Sequence, residues 1–180
     1  MLNSNLGGFD PSLPKTLLYG NVGTLEATGQ TINMEVTNTS YYRPWKTIRN
    51  GLNGEFAQVN LDSPKDGSGE EINYVTLRIR FLDAATGLPV LLNRFHMSFY
   101  DFDEGAHSRA KECFSTTGFS KIDIDRSNTQ IVEEPDPLDP AYSAFCSTEY
   151  GELADNPTSP TALTAHQRSK AIEVTYEQRS

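Results

Sequence analysis

Long apolar runs are missing from this 180-residue chain: nothing in it approaches the roughly 18 consecutive apolar residues of a membrane helix, so insertion into a bilayer is not expected. The opening residues also lack a charged segment followed by an apolar one. With a loop-like start and a strand-like end at Gln178-Arg-Ser, the sequence reads as a fragment of a longer protein whose export signal lies outside it. Basic residues are scarce, 15 against 24 acidic ones for a net charge of -9, which argues against a nucleic-acid surface and for cation binding or plain solubility. Catalytic signatures are absent: there is no Gly-x-Ser-x-Gly elbow, no His-Glu-x-x-His pair and no phosphate-cradling glycine loop. His96, His107 and His166 lack the paired spacing of a zinc site and read as polar surface. Only two cysteines occur, Cys113 and Cys146. They are either a disulfide or two free thiols, and their strand-like surroundings favour the bond.

What is present is alternation. Ile32, Met34 and Val36 share one side of a strand pattern, as do Val75, Leu77, Ile79 and Phe81, then Phe95, Met97 and Phe99, then Ile172, Val174 and Tyr176. Turn signals separate these runs, among them Asn50-Gly-Leu-Asn-Gly54 and Asp83-Ala-Ala-Thr-Gly-Leu-Pro89. One short helix is expected within residues 161–170, after Pro157 and Pro160. The prolines of Glu133-Glu-Pro-Asp-Pro-Leu-Asp-Pro140 cannot donate to a sheet ladder, so that run is expected to be an exposed acidic loop. The expected fold is all-β, an antiparallel β-sandwich of jelly-roll type with one short helix near the C-terminal end. Residues 1–16 read as a flexible lead-in and residues 17–180 as a single sandwich domain.

Two places could carry chemistry. If the strand through Phe99 continued, Asp101 and Asp103 would fall in register with its core residues, where a carboxylate needs a partner. Acids two apart on a strand are about 7 Å from each other, a span one cation bridges after a small bend. Asp101, Asp103 and Glu112 occupy the first, third and twelfth places of a helix-loop-helix calcium loop. Gly105 and Ala106 break that loop, and the flanks are strands, so the motif is rejected while the acids are kept. A Ca2+ site is expected from Asp101, Asp103 or Glu104, completed from Glu112, Asp155, Asp83 and Asn156. The competing reading is that acids gather at a strand end because water solvates them there. The second place is the loop Asn38-Thr-Ser-Tyr-Tyr-Arg-Pro-Trp45. Tyr41, Tyr42 and Trp45 either cap the core or form a stacking surface for a sugar or a partner, with Arg43 to bond hydroxyls. Asn38-Thr-Ser40 is also a glycosylation sequon.

Residues 50–61, the run from Phe81 to Val90, Phe99-Tyr-Asp-Phe-Asp-Glu-Gly105 and the late Asp155-Asn-Pro together resemble calcium-dependent β-sandwich modules of algal and marine bacterial surface proteins. The resemblance spans residues 17 to 176. It implies an extracellular or cell-surface, non-catalytic domain for adhesion or carbohydrate binding, with a carbohydrate or a cell-surface protein as partner. A self-assembling structural protein of a surface or shell layer is the alternative, and a polysaccharide hydrolase, which needs only two suitably spaced carboxylates, is the least favoured.

Overall fold

Leu17, Tyr19, Met34, Val36, Ile79 and Phe81 meet on one face of a sheet because each strand turns alternate side chains to the same side. The computed structural model describes residues 1–62, 72–104, 110–152 and 156–177. That sheet has four antiparallel strands in the order β1, β2, β3, β6: β1 (Asn3–Ser4), β2 (Leu17–Thr24), β3 (Thr31–Asn38) and β6 (Leu77–Asp83). Its polar side carries an ion pair between Arg80 and Glu35. Gly20-Asn-Val22 opposes Asn33 alone, and this bulge interrupts the pairing of β2, which resumes with Gly23 opposite Ile32. β4 (Gly51–Asn53) and β5 (Phe56–Gln58) form a hairpin with a two-residue loop in which Gly54 takes φ 60, a backbone that favours glycine.

Contacts gather into two compact units, Met1–Leu91 and Leu92–Ser180, where the length argued for one domain. Each unit closes its own core. The first buries Leu6, Leu17, Tyr19, Val36 and Tyr42 against Met34, Val59, Val75, Leu77 and Ile79. Residues 1–16, expected as a flexible lead-in, are part of it. Leu6 is fully buried, and the Asn5 amide donates to the carbonyls of Asp10 and Leu13 while its oxygen accepts from Asp10 N–H. Leu6 is worth about 1.5–3 kcal/mol by apolar burial alone, and nothing periodic in the sequence marked it.

The second unit has two three-stranded antiparallel sheets. One is ordered β7 (Arg94–Phe99), β12 (Ile172–Glu177), β9 (Lys121–Asp123), and the other β10 (Ile131–Pro135), β11 (Ser143–Ser147), β8 (Cys113–Ser115). Phe102, Ile131, Phe145, Ile172 and Val174 fill the core, with Phe99, Phe114, Phe119, Ile122, Ile124 and Tyr176 against them. Part of the acidic proline run is a strand after all. Pro135 ends β10, an edge strand, so its missing N–H costs no central ladder bond. The rest turns on Asp136, whose carboxylate accepts from the N–H groups of Leu138 and Asp139. The helix α1 (Ala165–Ser169) starts at a capping box between Thr164 and Gln167. Among the described residues the fold is all-β, with every strand pair antiparallel, apart from that helix and one 3-10 turn at Thr47–Arg49.

Candidate functional site

β7 stops at Phe99 because the chain turns left-handed at Asp101, with φ 71, a conformation that Asp tolerates better than most residues. That turn reverses the alternation. Phe102 enters the core, while Asp101 and Asp103 are half-buried at its margin. The two acids therefore do not continue the inward face of β7, as an unbroken strand would require.

The segment after the turn is stitched to β11 and β8. Asp103 O accepts from Ser147 Oγ at 2.8 Å and from Glu112 N at 3.2 Å, and Ser147 N donates to Glu112 O at 2.9 Å. Glu104 joins by backbone alone, its N–H to Glu149 O and its carbonyl accepting from Gly151 N. Asp103 lies so close to Gly151 that a Cβ there would sit 1.9 Å from Asp103 Oδ2, so only glycine admits this carboxylate. Lys170 completes the group: it is fully buried, and its Nζ donates to Tyr150 O at 3.0 Å. Phe102 N donates to Lys170 O, which brings the lysine backbone to the acidic turn.

Glu112 records the convergence of charge. Desolvation among the surrounding chain, then the Asp103 and Asp101 carboxylates, push its carboxyl up to about 8, against the smaller lowering by the Asp103 N–H and the Lys170 ammonium. Its outer surface is nevertheless exposed, and water there screens the repulsion. The folded-state value lies above the ordinary 4.5, so the associated stability is fully present below about pH 4.5 and is lost as pH rises through about 8. Glu112→Gln should abolish this slope, making the variant more stable than the parent by about 1 kcal/mol at pH 9 after allowance for screening, and equal to it at pH 4. Chemical denaturation at both pH values checks this, and a difference independent of pH would refute it.

Of the other expected ligands, Asp83 belongs to the first unit. Its carboxylate is taken up by the Gln30 amide, the Thr86 hydroxyl and N–H, and Ala85 N–H, which holds it below the usual range. Asp155 and His107 lie outside the described residues. Among the described residues, Cys113, Glu134 and Cys146 have donor atoms within 4.8 Å of one another. The two sulfurs are bonded to each other, so that group offers no thiolate. The disulfide joins directly opposed residues of β8 and β11 with Cα atoms 4.1 Å apart, and it points to an oxidising setting.

The aromatic loop divides between core and surface. Tyr42 is 4 % exposed and hydrogen-bonds Asn50 Oδ1 at 2.7 Å, so it is a core residue and drops out of any contact surface. Tyr41 and Trp45 face outward at 81 % and 50 % exposure. Arg43 lies 3.9 Å from Asp62, and its carbonyl accepts from Asp62 N and Asn73 Nδ2. Lys46 Nζ sits 4.1 Å and the Arg49 guanidinium 5.2 Å from the Trp45 ring centroid. The sequon residue Asn38 spends its side chain on Ser40 O and Gly7 N–H.

Sequence reasoning missed Lys170, Ser147 and Gly151, for which residue type alone gives no signal. It also passed over Lys46 and Arg49, although no acid occurs between Glu35 and Glu55. No family model matches the chain, and neither curated proteins nor solved structures yield a match.

Proposed function

We propose that this chain is a non-catalytic, extracellular binding module that takes a carbohydrate or a cell-surface partner through the loop of Tyr41 and Trp45. The outward exposure of these two rings, beside a Tyr42 that nails the same loop to the core, carries the reading. Rings held in place offer apolar area at little conformational cost and stack on the C–H faces of sugars. The disulfide supports an extracellular location. In a glycan-array screen followed by calorimetry, Tyr41→Ala and Trp45→Ala should each weaken a detected ligand about tenfold while leaving the melting temperature unchanged. Loss of stability without loss of binding would move the site elsewhere.

Calcium is the cofactor of this reading. Asp101 and Asp103 are both near enough to act on Glu112, and a cation that displaced the Glu112 proton would meet three carboxylates, one of them offset by the Lys170 ammonium. The remainder suits a divalent cation with oxygen ligands, which would hold the turn at Asp101 in place. Saturating calcium should raise stability by about 1–3 kcal/mol and chelator should reverse the gain. An Asp101→Asn, Asp103→Asn double variant should lose the response. A thermal scan indifferent to both calcium and chelator would leave Lys170 as the counter-ion of the cluster.

One observation favours a second reading. A carboxyl raised toward neutrality beside two others is how a hydrolase poises a general acid. Turnover of a polysaccharide that vanishes in Glu112→Gln would establish it.

A further inference from the structure

We infer that the ligand taken by the Tyr41 and Trp45 loop is a polyanionic glycan, its carboxylate or sulfate groups clamped between Lys46 and Arg49. This inference rests on the binding reading above and narrows it to a ligand class.

A chain of net charge -9 has no acid between Glu35 and Glu55, yet Arg43, Lys46 and Arg49 fall in that interval. Lys46 and Arg49 are exposed, and among the described residues neither is in an ion pair. Both are gathered over one indole, at 4.1 Å and 5.2 Å from its centroid. Two like charges brought to one ring repel, and the ring's negative face recovers only part of that cost. An anion between them removes the repulsion and adds charge-assisted hydrogen bonds from both. The backbone beneath is fixed: Lys46 N–H donates to Asn60 Oδ1 at 2.8 Å, Arg49 N–H to Lys46 O, and Asn50 N–H to Thr47 O. Asn50 Oδ1 in turn holds Tyr42 and accepts from Asn60 N, so the loop need not order itself on binding.

Apolar surface selects a glycan over an acidic peptide. Tyr41 and Ile48 are 81 % and 89 % exposed on the same loop, apolar ground for sugar C–H faces. The many acids elsewhere do not repel the ligand strongly at physiological salt, because charges beyond about 8 Å are screened.

The test uses size-matched polygalacturonate, dextran sulfate and neutral dextran in calorimetry at about 0.15 M salt, with polyglutamate as the charged polymer lacking sugar. Both polyanionic glycans should bind at least tenfold tighter than dextran, and the stronger of them names the acid group preferred. A Lys46→Gln, Arg49→Gln double variant should lose that advantage tenfold or more with unchanged melting temperature. Equal binding of dextran and the charged glycans overturns the polyanion inference and leaves the sugar-binding reading standing. Failure of all three glycans overturns both. Polyglutamate binding as tight as dextran sulfate, and insensitive to Trp45→Ala, overturns the glycan class in favour of an acidic protein.

Discussion

Reducing the Cys113–Cys146 bond is expected to lower the melting temperature of the second unit by about 15–25 °C, the largest change any single bond in this chain should produce. The bond closes a loop with a sequence separation of 33, for which chain entropy gives about 3–4 kcal/mol. That is a large share of the 5–15 kcal/mol by which domains are normally stable. The loop it closes contains β9 and β10 and ends on β11, whose Ala144, Phe145, Cys146 and Ser147 are all buried. Calorimetry with and without reductant measures the effect, and a Cys113→Ala, Cys146→Ala variant should reproduce it without reductant. Two alkylated thiols by intact mass in the unreduced native protein would refute the bond and the oxidising setting together.

The second large effect separates two adjacent tyrosines. Tyr42→Ala should cost about 3–5 kcal/mol, since it removes a buried ring from the first core. Tyr41→Ala should stay within about 0.5 kcal/mol of the parent because its ring faces water. Tyr42→Phe should lose only about 1 kcal/mol: Asn50 Oδ1 keeps its bond from Asn60 N when the hydroxyl goes. Denaturant melts of the three variants decide the matter. Equal costs for the two alanine variants would show that the loop is not divided between core and surface.

Those tyrosines illustrate what was legible. Alternation located the inward residues of β3, β6, β7 and β12 because a half-buried sheet imposes a period of two on its sequence. The loop has no period, and nothing in Tyr-Tyr says which ring turns in. Likewise Phe95, Met97 and Phe99 were readable, but the left-handed turn at Asp101 was not, and it alone decides that Phe102 rather than a carboxylate reaches the core. β10 was hidden because proline forbids a central strand and permits an edge one, and position within a sheet is a property of partners remote in sequence. The candidate acids were found by their spacing. Lys170 was not, since a lysine is ordinarily at the surface and only the packing around Tyr150 shows this one inside.

The middle position of β12 has a consequence for how the molecule is made. β7 and β9 do not pair with each other; both pair with β12, so Phe99 waits for Ile172 before its ladder forms. At about 5–20 residues per second of synthesis, β7 spends several seconds with Phe95, Met97 and Phe99 uncovered. Within that interval, once Ser147 has been made, β8, β10 and β11 are complete and can be locked by oxidation. The second unit is therefore expected to mature in two stages, a cross-linked sheet first and its facing sheet only after Glu177 has emerged, and a ribosome stalled before Ile172 should display a protease-sensitive β7 beside a protected disulfide.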